Sequence, residues 1–317
     1  MRNMSYNKNT SRRVLAALTA GVCLIAAAAF SGCGKKGDPA STGYGELETL
    51  PTETQAPPEP PPPPRELDAL EDRLNEQLAL YEGKWSVYVQ DLSTGKEFEI
   101  NDRKVYAASE IKLFAMAAAY QQVEDGKLAA VSVDDDVEVM ISESDNYCFN
   151  KILRKIGLKE VNRWCEANGY DETEQHNGLA PASNYSEDLK NGKGRNMTSV
   201  RDMGKLLVSI YRGECVSAEC SEKMLACLLD QQRRDKIPAG LPKVVKVANK
   251  TGETEDETHD AAIVFSEGGD YVLTITVVNP TFAWDMNDQL AEVSETVYDY
   301  FNGIPLPELA SDSSEED

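Results

Sequence analysis

Ser109-Glu110-Ile111-Lys112-Leu113-Phe114-Ala115-Met116-Ala117-Ala118-Ala119 sets a serine and a lysine three residues apart at the head of an apolar run. A run with no charged face reads as a helix buried on all sides. Positions i and i+3 of a helix share a face, so Lys112 would stand beside Ser109 near the start of that helix. A serine hydroxyl is a poor nucleophile until a base takes its proton. A lysine can be that base when burial and nearby positive potential lower its pKa. Ser-x-x-Lys also occurs at Ser5 to Lys8 and at Ser93 to Lys96. The first lies in an N-terminal leader and the second in an Asp91-Leu92-Ser93-Thr94-Gly95 turn, so neither has a buried helix behind it.

Two more motifs follow, each occurring once: Ser144-Asp145-Asn146 and Lys250-Thr251-Gly252. Alone, the first reads as a helix cap, because all three residue types favour such positions. The second, just after the strand-like Val244-Val245-Lys246-Val247-Ala248, reads alone as a strand-ending turn. In this order, however, the trio resembles the class A-like branch of the penicillin-recognising serine hydrolases, the β-lactamases and penicillin-binding proteins.

That resemblance implies an α+β fold of β-lactamase/transpeptidase type, an antiparallel sheet flanked by terminal helices plus an all-helical lobe. It also implies roles. Ser109 would be the nucleophile, Lys112 its base, and Ser144 the relay that passes a proton toward the leaving nitrogen. Asn146 would bond the substrate's amide side chain, and Asp145 would brace the loop. Lys250 and Thr251 would face a substrate carboxylate, with Gly252 allowing close approach of a ligand. The backbone N–H groups of Ser109 and Glu253 would form the oxyanion hole.

The rest of the chain agrees with that fold when read by pattern alone. Leu67, Leu70, Leu74, Leu78 and Leu80 give 66–81 a helical spacing, and Trp85 to Val89 alternates as a strand returning at Phe98-Glu99-Ile100. A helical block then runs to Cys165 and resumes at Met203 and Met224. Strands come back only at Val244 to Ala248, Ala261 to Phe265 and Tyr271 to Val278, before a closing helix from Met286 to Phe301. Strands at both ends of a helical block describe a sheet that joins distant parts of the chain.

Residues Asp171 to Asn196 are polar and irregular, a loop longer than a compact domain carries without a purpose. In class A enzymes a loop glutamate activates the water that removes the acyl group. Glu187-Asp188-Leu189-Lys190-Asn191 reproduces that Glu and Asn spacing, which makes Glu187 the candidate deacylating base, with Glu172 and Glu174 behind it. The gap of 35 residues from Ser109 to Ser144 is shorter than class A enzymes show, implying a trimmed helical lobe.

The ends divide the chain further. Residues 1–32 have the basic, apolar and small-residue parts of a secretory leader, and Phe30-Ser31-Gly32-Cys33 resembles a lipobox that would make Cys33 a lipidated N-terminus. Residues 33–65, with nine of the fifteen prolines, cannot build a core and would act as an extended tether. Residues 66–305 would be the serine hydrolase domain, and 306–317 an acidic, disordered tail. The expected location is outside the cytoplasm, held to the membrane by lipid.

The formal charge is −22, and the leader holds four cations and no anion, leaving −26 without it. Such a surface argues against nucleic acid as a partner. The expected partners are a β-lactam or a peptidoglycan stem peptide and, through the lipid, the membrane; the domain is expected to be monomeric. No cofactor is called for, and without Cys-x-x-Cys or paired histidines no zinc site of common spacing is expected. Cys148, Cys165 and Cys227 fall on apolar helical patterns, and a disulfide among Cys215, Cys220 and Cys227 would suit an exported protein.

Three functions are then open. The first is a serine β-lactamase that is acylated at Ser109 and hydrolysed. The second is a penicillin-binding D-Ala-D-Ala peptidase-like protein that deacylates slowly. The third is a non-catalytic lipoprotein that binds peptidoglycan fragments.

Overall fold

The computed structural model describes residues 66–309. The leader, Cys33, the proline-rich segment 33–65 and most of the acidic tail lie outside the described residues.

Five strands form one antiparallel sheet: β1 (Lys84–Asp91), β2 (Glu97–Ile100), β5 (Lys246–Glu253), β6 (Glu257–Phe265) and β7 (Tyr271–Val278), in the order β2-β1-β7-β6-β5. The register sets Val87 against Ile275 and Ala262 against Leu273. A short second pair joins β3 (Val105–Tyr106) to β4 (Met197–Thr198). Sequence-distant strands pair side by side, so the sheet cannot form until both ends of the domain are present.

Side chains alternate across the sheet with the period of two that a strand requires. Trp85, Val87, Val89, Val247, Leu273, Ile275 and Val277 point to one face, where they meet Leu70 and Leu74 of α1 (Asp68–Leu78) and Leu290, Val293 and Val297 of α8 (Asn287–Phe301). The opposite face carries Tyr88, Ala248, Ala261, Ile263 and Val272 into the core of the helical lobe. That lobe comprises α2 (Ile111–Glu124), α3 (Asp134–Ser142), α4 (Asn146–Ile156), α5 (Leu158–Asn168), α6 (Val200–Tyr211) and α7 (Ala218–Leu229). Every residue of α2 from Ile111 to Tyr120 is buried, as its run of apolar residues requires, and Lys112 is buried with them. The helix is the axis about which the lobe packs.

The sheet is held to the lobe closely. Thr274 Oγ1 donates to the Val200 carbonyl at 2.8 Å. On α6, a Cβ added to Gly204 would fall 2.2 Å from Tyr88 Cδ1, so that helix can lie flat on β1 only because the residue is glycine.

Two features depart from the sequence reading. The fifth strand runs Lys246–Glu253, so Lys250-Thr251-Gly252 lies within it, paired with Ala261, Asp260 and His259, and not in a turn after it. Apolar alternation stops at Ala248 because Lys250 and Thr251 are polar, yet both are buried, and a pattern of hydrophobicity cannot follow a strand through buried polar residues. Val244, counted into the strand by its type, is 89% exposed. The second feature is the cysteines: Cys148, Cys165, Cys215, Cys220 and Cys227 are all free thiols, with Cys148 only half-buried.

Among the described residues no helix is long and apolar enough to cross a membrane. Because the Gly204 contact has no slack, Gly204→Ala should lower the free energy of unfolding by about 2 kcal/mol, the usual cost of overpacking a core. Urea denaturation would measure it, and a change within experimental error would show that α6 does not bear on β1 this tightly.

Candidate active site

Ser109 sits in a 3-10 turn, Ala108–Glu110, that runs directly into α2. Ala108 has φ of +45°, a left-handed conformation that an L-residue adopts only where its surroundings hold it. One turn on, Lys112 is fully buried, and its Nζ lies 2.9 Å from Ser109 Oγ. The i, i+3 geometry expected from the sequence is therefore present.

Lys112 also gathers the second motif. Its Nζ donates to the Ser144 carbonyl at 2.6 Å and to Asn146 Oδ1 at 2.8 Å, and lies 3.2 Å from Ser144 Oγ. Ser144 has φ of +60°, which turns it off the end of α3 before α4 begins. Asp145 is the N-cap of α4 and accepts from the Cys148 N–H at 2.6 Å. The segment is thus a helix cap and a binding turn at once. Asp145 serves the first purpose, and Ser144 and Asn146 face the lysine.

The third motif closes the cluster from the sheet. Lys250 is fully buried, and its Nζ donates to Ser144 Oγ at 2.8 Å and to the Thr251 carbonyl at 2.7 Å. A Cβ on Gly252 would stand 3.1 Å from the Ala107 carbonyl and 3.3 Å from Ala108 Cβ. The glycine therefore lets β5 approach the Ser109 turn, and Glu253 follows it at the end of the strand. Five residues from the three motifs are joined: Ser109 to Lys112, Lys112 to Ser144 and to Asn146, and Ser144 to Lys250.

Electrostatics follow from burial. Desolvation holds the Lys112 ammonium well below the ordinary lysine range, and the neighbouring Lys250 charge adds to the effect. An amine without its extra proton can accept one from Ser109. Desolvation also lowers Lys250, to about 7, against the opposing pull of Glu110 and Asp260.

The long loop lies across α4 and α5, anchored by side chains and by a short backbone bridge of its own between Asn177 and Lys190. Asn150 Nδ2 donates to the Leu179 carbonyl at 2.9 Å, Asn184 Nδ2 to the Tyr147 carbonyl at 2.9 Å, and Asn162 Nδ2 to the Gln175 carbonyl at 2.9 Å. Its point of approach to the cluster is Pro181, whose carbonyl is 3.5 Å from Asn146 Nδ2. The residues on either side there are Ala180 and Ala182. Glu187 is elsewhere: its side chain is 86% exposed and pairs with Lys190 at 2.6 Å. Glu174 pairs with Lys104 at 2.5 Å and with His176 at 2.7 Å, and the backbone N–H of Glu172 is bound by Asp202. None of these three hydrogen-bonds to Ser109, Lys112, Ser144 or Asn146.

Comparison with known proteins places this geometry. The sequence profile of the β-lactamase enzyme family matches residues 69–132 and 129–301. The chain belongs to the β-lactamase enzyme family. No curated protein matches it. Among solved structures, PBP-A is 25% identical over 76% of this chain and 99% of its own, with a TM-score of 0.66. A β-lactamase from Sphaerobacter thermophilus is 20% identical over 76% of this chain and the whole of its own, with a TM-score of 0.65. The L158E variant of PBP-A, an acyl-enzyme complex with penicillin G, is 24% identical with a TM-score of 0.64. The family fold expected from the three motifs is therefore present.

Within this β-lactamase-family domain, the sequence reading passed over a set of buried charges beneath the cluster: Glu110, Lys236 and Asp260, all buried. Asp260 could have been noticed as one charge in an apolar strand, but Glu110 stands at a position the motif leaves free. Among the described residues no group of three or more His, Cys, Asp or Glu could hold a metal ion.

Two outcomes follow for any acyl-enzyme formed here. Glu187→Ala should leave the lifetime of a covalent penicillin label unchanged, and a lengthened lifetime would return that residue to the chemistry. Ser144→Ala should slow acylation by about 100-fold, the lower range for losing a positioned proton-transfer group, as read by stopped-flow labelling.

Proposed function

We propose that this chain is a penicillin-recognising serine hydrolase in which β-lactams, and by the same chemistry peptidoglycan stem peptides, acylate Ser109. The observation that carries the reading is the buried Lys112 Nζ, 2.9 Å from Ser109 Oγ, with burial favouring its neutral form. Neutral Lys112 takes the hydroxyl proton as Oγ bonds to the carbonyl carbon. The charge that develops on the carbonyl oxygen would be met by the N–H groups of Ser109 and Glu253 at the helix N-terminus and strand end. When the C–N bond breaks, the nitrogen takes its proton from Ser144 Oγ, which regains one from the protonated Lys112 at 3.2 Å, with Lys250 on its other side at 2.8 Å. Asn146, Lys250 and Thr251 would receive the substrate's amide and carboxylate.

Of the two fates of the acyl-enzyme, rapid hydrolysis as in a β-lactamase or slow release as in a penicillin-binding peptidase, the second has a specific observation in its favour. Where the long loop comes up to Asn146 it offers Ala180-Pro181-Ala182 and no carboxylate. Glu187 faces solvent. A water at the ester would have no loop carboxylate to deprotonate it, so the acyl group would persist. The L158E variant of PBP-A held as a penicillin G acyl-enzyme is a precedent for such a species in a related fold. In this reading the domain works outside the cytoplasm, tethered at Cys33, where cell-wall peptides are within reach; the leader pattern of residues 1–33 supports that location.

A fluorescent penicillin tests it. Wild type should label covalently and keep its label after free penicillin is removed, while Ser109→Ala should not label. Label that fades within the assay would favour the β-lactamase reading. Equal labelling of both proteins, or of neither, would remove Ser109 from the role.

A further inference from the structure

Glu110 fills one of the two free positions of Ser109-Glu110-Ile111-Lys112, and its burial has no evident structural reason. The side chain is fully buried, and neither carboxyl oxygen has a hydrogen-bond partner. Such a group costs several kcal/mol to take out of water unless something compensates it. An apolar residue would fill the space without that cost.

The charges around it come from every element packed on the Ser109 turn. Strand β5 contributes Lys250, strand β6 contributes Asp260, and the segment after α7 contributes Lys236. Glu253 and Arg233 lie at the margin of the same group, and His259 within it. Gly252 brings Glu110 under β5: a Cβ there would stand 3.2 Å from Glu110 Cγ.

Most of these groups are committed. Asp260 accepts from Asn249 Nδ2 at 2.9 Å and from the Ile237 N–H at 3.1 Å. Lys236 donates to the Gly252 and His259 carbonyls at 3.1 and 3.2 Å and pairs with Glu253 at 3.3 Å. His259 Nε2–H donates to the Tyr106 carbonyl at 3.0 Å, and burial keeps the ring neutral, down at about 4. Lys250 differs. Its two hydrogen bonds go to a hydroxyl and a carbonyl, so this buried cation has no carboxylate bonded to it. Of the two fully buried carboxyls facing Lys250, Asp260 is occupied and Glu110 is not.

We propose that Glu110 is a positioning residue whose buried carboxylate is the counter-charge that holds Lys250 as an ammonium ion, and with it the site's attraction for a substrate carboxylate. The proposal rests on the acylation of Ser109 argued above. Burial moves the two groups toward each other: Glu110 rises well above the carboxylate range while Lys250 falls to about 7. The two groups interact, so their titration belongs to the pair. A negative neighbour raises the pKa of a lysine. Removing Glu110 must therefore let Lys250 lose its proton at lower pH.

The test uses the full chain and two probes, a penicillin with its free carboxylate and the same penicillin as a methyl ester. The second-order rate constant of acylation is followed from acid to alkaline pH for wild type, Glu110→Gln, Glu110→Met and the charge-retaining Glu110→Asp. With the carboxylate probe, the alkaline fall in rate should move about one pH unit lower in the Gln and Met variants, giving about a tenfold loss above that point. Glu110→Asp should stay near wild type, and the ester should show little shift. A merely structural role would lower all rates together at every pH. Superimposable profiles, or equal losses with both probes, would overturn the proposal.

Wild type alone gives a further check: its preference for carboxylate over ester must decline as pH rises through the Lys250 titration. A preference independent of pH overturns the proposal even if no variant folds. A wild type that labels at no pH removes the Ser109 reading and this one together, whereas labelling with unshifted profiles removes this one alone.

Discussion

Two lysine nitrogens are buried on either side of one serine hydroxyl, and the other features of the site serve that placement. Lys112 and Lys250 both lie near Ser144 Oγ, at 3.2 and 2.8 Å, with neither side chain exposed. Two ammonium ions at that separation in a dry interior would repel strongly. At least one must give up its charge or find a counter-charge. The protein answers in both ways: burial disfavours the charge on Lys112, beside Ser109, while the buried carboxyls Glu110 and Asp260 oppose the same effect on Lys250. The asymmetry suits the roles proposed for them, since a base must be neutral and a receptor for carboxylate must be charged.

The fold holds this pair by bringing it from opposite sides. Lys112 comes from the most deeply buried helix of the lobe, and Lys250 from the edge strand of the sheet. Between them the lobe meets the sheet, closely at Gly252 against the Ala107 carbonyl and at Gly204 against Tyr88. Larger residues at those two positions would part the lobe from the sheet, and the lysines with them.

How much of this could be read from the residues depends on what each one is bonded to. Ser109 and Lys112 are legible because both lie on one continuous helical stretch, the 3-10 turn and α2, where spacing alone fixes their relation. Ser144 and Lys250 needed a family resemblance, because contacts across 106 residues of sequence leave no local trace. The sheet and its flanking helices followed from alternation and from leucine spacing. The Lys250 strand did not, since its buried polar residues imitate a turn. Glu187 has the expected spacing, but spacing ignores which side of a loop faces inward, and the loop's course is set by long-range bonds from Asn150 and Arg154. Glu110 was passed over because its significance lies wholly in what surrounds it.

The left-handed backbone at Ala108 and Ser144 bears on when the site exists. Neither residue would choose that conformation in a loose chain, since each costs of the order of 1–3 kcal/mol that only surrounding packing can offset. The contributors also arrive in sequence, the last of them on a strand that must pair before Lys250 is placed. A chain still being made, or one with its sheet undone, would have the serine and lysine side by side yet no reactive centre. With Ser109 acylated as proposed, its reactivity is a readout of completed assembly: a covalent penicillin would mark only those molecules in which both halves of the domain have closed on each other.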